Sequence, residues 1–262
     1  MHALALLRET PWETRNLGVP SYAVANGFFE APDFSGLARE MRELAARHSR
    51  LFVAARLSMG HLASVPELQQ LGFYLVECTL APTMALRKNP VLLEFEQNPS
   101  AFIPSRYQRD DLVFLTLSLP TPDWAQTLTA MSQSAFSGDR FHVDHQCPPA
   151  VADRRFAYWM GDLIADSKVR FDILQLKGKP IAFFARKENH QIVSGFAPDH
   201  AASGLGEFFW LSTCAADKAE GHTFVHSLIS CNNLPSLNLC ARCGYRFKET
   251  GYTFHFWENP PV

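Results

Sequence analysis

The chain has 262 residues, of which 47% are hydrophobic, and a formal net charge of −2. This length suits one large or two small domains with a sizeable core. The near-neutral charge lacks the basic excess of a nucleic-acid-binding protein, and no apolar run approaches the length that spans a bilayer. We therefore expect a soluble cytoplasmic protein, without nucleic-acid or membrane partners, in which six scattered cysteines stay reduced.

Residues 1–90 alternate between strand and helix patterns. Strands are predicted at 3–7, 21–28, 51–56 and 73–80, helices at 35–47 and 66–71, and a loop at 11–18. Two Asn-Pro pairs, Asn89-Pro90 and Asn98-Pro99, discourage helix at the residue before each proline. We therefore predict a domain at 1–90, a linker at 91–101 and a second domain at 102–262 that begins with a strand at 102–107.

The second domain contains a glycine-rich turn between a β-hairpin and a helix. The apolar runs 181–186 and 191–196 predict the hairpin, and Ser203-Gly204-Leu205-Gly206 precedes a helical pattern at 207–220. Glycines let a backbone approach phosphate closely, and the unpaired N–H groups of a helix start favour anions. By itself this pattern more often marks a tight turn, so its meaning depends on the elements that come after it in the chain.

The rest of the chain completes an ordered series of elements. A strand pattern at 222–230 leads to Asn232-Asn233-Leu234-Pro235-Ser236, which starts a short helix to Ala241, and Gly244-Tyr245 leads into a β-hairpin ending at Trp257. Over 103–257 this order resembles the GCN5-related N-acetyltransferase (GNAT) family. The resemblance implies an α/β (α+β) fold with a mixed central sheet flanked by helices.

The same resemblance implies an enzyme, a CoA-dependent N-acyltransferase. It would move an acyl group, expected to be acetyl, from a thioester to an amine of a small molecule, and a nucleotide-linked amino sugar is the candidate acceptor. Acetyl-CoA or another acyl-CoA would be the co-substrate, and no metal is required. The prediction also allows a homodimer.

The resemblance assigns roles to two groups of positions. Backbone N–H groups at Phe196 and Ala197 would bind the thioester oxygen between two parallel strands that splay apart. The glycine turn would bind the pyrophosphate and the asparagines the pantetheine amides, so the donor-binding residues are Phe196, Ala197, Ser203, Gly204, Leu205, Gly206, Asn232 and Asn233. The candidate catalytic acids and bases are Cys240, His142, His226 and Tyr245.

Two positions depart from the family's pattern. Ala201 stands where an Arg or Gln helps to seat the pyrophosphate, so the turn keeps its backbone donors but lacks a side-chain contact. Cys240 stands where a Tyr protonates the departing thiolate. A thiol, with a reference pKa near about 8.5, could donate a proton or be acylated. Tyr245, Tyr252 and His226 are therefore alternatives for the acid role.

A charged loop follows the helix predicted at 122–136. Arg140, His142, Asp144 and His145 lie within six residues, and the segment resembles a loop that lies over the acceptor amine in one group of the family. By that resemblance Arg140, His142 and Asp144 would bind the substrate. The amine must lose a proton, and His142, His226, or Asp144 through water could be the general base. An Arg140–Asp144 ion pair in a solvated loop is the alternative. A metal site at His142, Asp144 and His145 would need further ligands.

Other functions stay open. Val65-Pro66-Glu67-Leu68 with Leu71-Gly72-Phe73 is similar to Leu234-Pro235-Ser236-Leu237 with Cys243-Gly244-Tyr245, so residues 1–90 are either a partial GNAT-like domain without the glycine turn or similar by chance. Because of Ala201 and Cys240, the donor could be an acyl carrier protein with Cys240 acylated, or the chain could be a non-catalytic binding module. The Cys240–Cys243 pair could bind zinc or be redox-active, but it has no second knuckle and lies at a helix end.

Overall fold

The computed structural model describes residues 6–135 and 139–261. Its strands are β1 (Leu7–Glu9), β2 (Ser21–Val24), β3 (Leu51–Ser58), β4 (Tyr74–Ala85), β5 (Leu112–Leu117), β6 (Val169–Leu176), β7 (Lys179–Lys187), β8 (His190–Phe196), β9 (Phe224–His226), β10 (Ile229–Ser230) and β11 (Arg246–Glu258). Its helices are α1 (Pro11–Leu17), α2 (Phe34–Arg47), α3 (Val65–Gln70), α4 (Pro90–Gln97), α5 (Pro122–Ala135), α6 (Pro149–Ala165), α7 (Gly206–Ala219) and α8 (Leu234–Arg242). Short 3-10 turns occur at Phe28–Glu30, Met59–Ser64, Pro99–Phe102, Arg109–Asp111 and Pro198–His200.

Parts of two predicted elements lie outside the described residues. These are residues 3–5 of the first predicted strand, and 136–138 at the predicted end of α5 and the start of the charged loop. No helix in the described part of the chain is both long and apolar enough to cross a membrane.

The chain divides into two compact units, of which the first contains 6–79, 139–155 and 249–261. Its strand order is β1-β2-β3-β11-β4, with β2 parallel to β3 and β11 antiparallel to it. Helix α2 begins where the Asp33 side chain accepts a hydrogen bond from the Gly36 N–H at 2.8 Å. Leu37, Met41 and Leu44 of this helix recur at helical spacing and are buried against the sheet.

The second unit contains 80–135 and 156–248. Its strand order is β4-β9-β8-β7-β6-β5, in which β5 to β8 form an antiparallel meander and β8 is parallel to β9. Helix α7 is central to the core, since four consecutive residues, Phe208–Leu211, are buried. A helix with so many buried faces must pack on several elements at once. The predicted fold class, a mixed sheet flanked by helices, is confirmed.

A buried charge cluster ties α7 to the meander. The Arg186 guanidinium donates hydrogen bonds to Asp172 Oδ2 at 2.8 Å, Asp217 Oδ1 at 3.0 Å and Glu220 Oε1 at 2.7 Å. Thr116 Oγ1 donates to the other Asp172 oxygen at 2.6 Å. Three carboxylates thus surround one cation. Burial raises the pKa of Asp217 to about 7, although the positive charge of Arg186 opposes this shift.

Two segments predicted as irregular are helical. Residues 11–18, predicted as a loop, contain α1, which has a proline in its first turn and ends at Gly18 with φ 73°. The predicted linker 91–101 is mostly α4, capped by Asn89, whose side chain accepts from the Leu92 N–H at 2.9 Å. Leu92 and Phe95 of α4 are buried in the core of the second unit.

Two strand predictions were wrong. The strand predicted at 102–107 is not formed, and the corresponding strand is β5, which pairs with β6 along its whole length. The predicted C-terminal hairpin is one long strand, β11, because Gly251 continues the pairing with β3 opposite Ser58 instead of turning. The remaining helices and strands lie within a few residues of their predicted positions.

The two repeated sequence stretches build the same local structure. Helix α3 is followed by Gly72 at φ 88° and then β4, and α8 is followed by Gly244 at φ 80° and then β11. Both helices carry a proline in their first turn. Residues 139–155 and 249–261 belong to the first unit, although the predicted division assigns them to 102–262. The partial GNAT-like domain at 1–90 stays a prediction.

Candidate active site

Strands β8 and β9 are paired at one position and then separate. The parallel pair is His190 opposite His226, and the Ser227 hydroxyl donates to the Gln191 carbonyl oxygen at 2.7 Å. Beyond this point β10 pairs with β4 instead, so within the described residues the end of β8, at 192–196, has no strand partner on that side. The expected splayed pair of parallel strands is present, and it leaves an open edge of backbone groups.

The two predicted oxyanion donors differ in the structure. The Ala197 N–H donates to the Ile181 carbonyl oxygen at 2.8 Å and is therefore occupied. Successive N–H groups of a strand point to opposite edges, so the Phe196 N–H points away from β7, towards the open edge. Only Phe196 of this pair presents a donor where β8 and β9 separate, and the assignment of Ala197 is corrected.

The glycine turn leads into the start of α7. Gly204 has φ 76°, a left-handed conformation that favours glycine, and the Ser203 hydroxyl accepts from the Leu205 N–H at 3.3 Å. The first N–H groups of α7 have no acceptor within the helix. A Cβ at Gly206 would lie 3.1 Å from the Leu239 side chain, so this glycine also allows α7 and α8 to pack closely.

Arg106 reaches the same turn from a distant part of the sequence. Its Nη2 donates to the Ser203 carbonyl oxygen and lies 3.4 Å from the Ala202 carbonyl oxygen. A Cβ on Gly204 would be 3.7 Å from this nitrogen. Ala201 leaves the turn without the Arg or Gln side chain of the family's pattern, and Arg106, which the sequence-based prediction missed, brings a cationic group to it. No local pattern marks Arg106, because 97 residues separate it from Ser203.

His226 lies at the point where the strands separate. Its ring stacks on that of His190, with centroids 4.8 Å apart and an interplanar angle of 4°. Burial and the neighbouring His226 lower the pKa of His190, which favours its neutral form. A histidine that is partly exposed at the open edge can accept or release a proton there.

Tyr245 and Cys240 lie in the core of the second unit. The Tyr245 hydroxyl donates to Gln191 Oε1 at 2.6 Å and lies 3.1 Å from Cys214 Sγ, and burial raises its pKa. Cys240 is fully buried, and burial also raises the pKa of its thiol. Both groups are therefore neutral packing or hydrogen-bonding partners in this structure, and neither is brought to the open edge.

The two asparagines have different positions. Asn233 caps α8, because its side chain accepts from the Ser236 N–H at 3.2 Å. The Asn232 N–H lies 3.4 Å from the Ser230 hydroxyl oxygen, and its side chain is exposed. Both asparagines are exposed, but the side chain of Asn233 is used in the helix start.

The charged loop at 139–145 folds within the first unit. His142 is held between Asp139 Oδ1 at 2.9 Å and Asp153 Oδ1 at 3.1 Å. The fully buried Asp144 carboxylate accepts hydrogen bonds from Tyr74, His255 and Trp257 at 2.5, 2.7 and 2.9 Å. These contacts give His142 and Asp144 structural partners.

The proposed Arg140–Asp144 ion pair is not formed. Arg140 Nη2 instead donates to Glu13 Oε1 at 2.7 Å, and Arg140 lines a cavity in the first unit. Among the described residues no group of three His, Cys, Asp or Glu side chains is arranged to hold a metal ion.

No protein-family model matches the chain, and no curated protein is significantly similar to it. Its structure, however, is similar to several solved structures. A GCN5-related N-acetyltransferase from Sphaerobacter thermophilus has a TM-score of 0.62 at 12% identity and covers 95% of this chain and 75% of its own. A tandem GNAT protein from the clavulanic acid biosynthesis pathway has a TM-score of 0.58 at 12% identity and covers 94% and 77%. The chain has the GNAT fold.

A third similar structure is a glucosamine N-acetyltransferase region of a fungal multi-domain β-N-acetylglucosaminidase. It has a TM-score of 0.55 at 12% identity and covers 90% of this chain and 30% of its own. At 12% identity, the similarity to these GNAT proteins shows a shared fold and nothing more. The residues that act on a substrate must therefore be argued from the geometry of this chain.

Proposed function

We propose that the chain is a CoA-dependent N-acyltransferase, with acetyl-CoA as the donor and the amine of a small molecule as the acceptor. The observation that carries the proposal is the separation of β8 from β9 beside the Ser203–Gly206 turn. The open edge supplies an N–H donor at Phe196 for the thioester oxygen, and the start of α7 supplies unpaired N–H groups for the pyrophosphate.

In this proposal each described group has one task. Arg106 adds a positive charge at the turn, which compensates for Ala201. His226, which is partly exposed where the strands separate, accepts through ordered water the proton that the attacking amine loses, because its strand partner His190 lies six residues from Phe196 along β8. The amine then attacks the thioester carbon, and the C–N bond forms as the C–S bond breaks. The departing CoA thiolate takes up the proton that His226 received from the amine, so that CoA leaves as its thiol.

The acceptor that we propose is an amino sugar, carried on a nucleotide. The segment from Trp12 to Gly18 and the Arg140-Phe141 loop resemble segments of TDP-fucosamine acetyltransferase. The glucosamine N-acetyltransferase region with the same fold agrees with this class of acceptor. An acyl carrier protein as donor with an acylated Cys240 has less support, since that thiol is fully buried.

Titration calorimetry with CoA and acetyl-CoA tests the donor. We expect saturable binding by the wild type, and a loss of about tenfold or more in Gly204→Ala, in which a Cβ would lie 3.1 Å from Pro104 and φ is 76°. Gly178→Ala is the matched control, because Gly178 also has φ 76° but a Cβ there meets nothing within 4 Å. If neither ligand binds the wild type, the proposal fails.

A thiol-release assay with amino-sugar nucleotides then tests the reaction. We expect release of free CoA that depends on the acceptor. Tight binding of acetyl-CoA with no turnover on any amine would instead support a non-catalytic binding module.

A further inference from the structure

The first unit contains a cavity of about 400 Å³ on one face of its sheet. Ala54 lies opposite Ala23 of β2, which in turn lies opposite Arg8 of β1. Side chains at directly paired positions lie on the same face of a sheet, and Arg56 lies two residues from Ala54 on that face. Two small side chains therefore leave a hollow, with an arginine on either side of it.

The hollow carries excess positive charge. Arg140, 9% exposed, also lines it and pairs with Glu13. Glu13 is shared, because Arg155 binds the same carboxylate through Nε at 2.8 Å and Nη2 at 2.9 Å. Within the described residues, neither Arg8 nor Arg56 forms an ion pair with a carboxylate. The lining arginines Arg8, Arg56 and Arg140 thus outnumber the lining carboxylates, which are the buried Glu13 and the exposed Glu30.

The electrostatic state of Arg140 reflects this excess. Burial lowers the pKa of Arg140 to about 10, and the charges of Arg56 and Arg155 lower it further, while Glu13 opposes the shift. An anion bound between Arg140 and Arg56 would therefore gain from both charges at once. Phe52, which lies two residues from Ala54 on the same face of β3, and Phe29 provide an aromatic wall for an apolar group.

We propose that this cavity, whose lining residues all belong to the first unit, binds a small organic anion, a carboxylate or a phosphate monoester that carries an apolar group. The volume is at the small end of the range for ligand pockets, about 300 to 1,000 Å³, so the ligand is of metabolite size. The guanidinium groups bind the anion and the aromatic wall contacts the apolar part. The site depends on neither CoA nor turnover.

Titration calorimetry of the full chain with phenylacetate and phenyl phosphate tests the site. The probe that binds more tightly shows whether the site prefers a carboxylate or a phosphate monoester. We expect saturable binding of at least one of them and none of the neutral 2-phenylethanol. Arg56→Gln should weaken binding about tenfold or more, because it removes one charge-assisted contact. Ala54→Leu should abolish binding by filling the hollow without changing any charge.

Arg42→Gln is the matched control, since Arg42 is an exposed arginine of α2 that does not line the cavity. It should bind like the wild type, and thermal melting should show that each variant is folded. Arg56 is exposed and has no ion pair to lose, so its variant should keep the fold. The inference is overturned if neither anion binds in the millimolar range, if the alcohol binds equally well, or if Arg56→Gln binds like Arg42→Gln.

Discussion

The guanidinium of Arg106 donates a hydrogen bond to the carbonyl oxygen of Ser203, at the turn that opens α7. Three features therefore meet at one place: a left-handed glycine, a helix start and a cation. An anion at this turn would be attracted by the helix dipole and by Arg106 together. The contact gives the turn the cationic side chain that Ala201 does not provide.

Arg106→Ala should weaken acetyl-CoA binding about tenfold, because a charge-assisted contact to phosphate contributes roughly 1.5 to 3 kcal/mol. Titration calorimetry measures this loss, which should diminish at high salt because Arg106 is exposed. Arg87→Ala, at an exposed arginine of the same unit, is the control and should keep full affinity. Equal affinity of the two variants would show that Arg106 does not contact the donor.

His226→Gln should reduce the rate of acyl transfer roughly a hundredfold or more, as expected for loss of a general base. The kinetic constants separate this role from a structural one, since loss of a base should lower kcat while the KM for acetyl-CoA and the Tm stay near their wild-type values. His222→Gln, four residues earlier in the same segment, should keep the wild-type kcat. A variant of His226 that retains the wild-type kcat would exclude it as the base.

Cys240→Ala should leave acyl transfer nearly unchanged. The thiol is fully buried and its pKa is raised by burial, so it is neither ionised nor accessible. The variant should lose about 1 kcal/mol of stability, because a small buried group is removed from the core. Intact-mass analysis after incubation with acetyl-CoA checks the chemistry, and an acyl group on Cys240 would favour the covalent alternative.

Local sequence patterns predict those parts of this structure that depend on neighbouring residues. The hairpin of β7 and β8, the glycine turn and the start of α8 follow from alternation, from Gly204 and from the Asn233-x-Pro235 cap, all within a few residues. The same patterns are misleading at prolines, because a proline is common both in irregular segments and in the first turn of a helix. By pattern alone Pro11 and Pro90 indicate irregular structure, but both stand in the first turn of a helix.

Long-range contacts explain the rest. Arg106 and Ser203 lie 97 residues apart, and no pattern near either residue indicates their contact. The Asp144 carboxylate likewise receives its partners from three distant positions, Tyr74, His255 and Trp257. A sequence shows that Asp144 is charged, but only the tertiary structure shows that its oxygens are already occupied. Spacing alone therefore overstated its availability to a substrate.

Tyr74→Phe should destabilise the protein by roughly 1 to 3 kcal/mol, because the Tyr74 hydroxyl donates to the buried Asp144 carboxylate at 2.5 Å. Hydrogen bonds from His255, Tyr74 and Trp257 outweigh the effect of burial and lower the pKa of Asp144 to about 2. A lowered pKa stabilises the fold above the unfolded value, near about 3.9, and this contribution is lost as the pH falls through about 2. The destabilisation should therefore shrink at acid pH.

Denaturant unfolding at pH 7 and at pH 3 measures both effects. Tyr22→Phe is the control, because it deletes the same atom in the first unit, and the Tyr22 hydroxyl has no hydrogen bond within the described residues. An equal loss in both variants at pH 7 would mean that the bond to Asp144 contributes nothing.

Asp217→Asn should flatten the dependence of Tm on pH between about pH 4 and pH 8. Burial beside two other carboxylates raises the pKa of Asp217 to about 7, against the attraction of Arg186. A raised pKa stabilises the fold fully below the unfolded value, near about 3.9, and this contribution is lost as the pH rises through about 7. The three carboxylates of Asp172, Asp217 and Glu220 interact and share the extra bound proton. Replacing Asp217 alone should therefore remove much of the dependence of Tm on pH.

Differential scanning calorimetry over this range checks the sign. The wild type should lose Tm relative to Asp217→Asn as the pH increases, because only the wild type must ionise a third carboxylate around one guanidinium. Asp166→Asn is the matched control, since Asp166 forms a partly exposed ion pair with Lys187 at 2.8 Å and its removal should shift Tm little. If the wild type gained stability relative to Asp217→Asn between pH 5 and pH 8, the cluster would bind no extra proton, and Arg186 would be sufficient to hold all three carboxylates ionised.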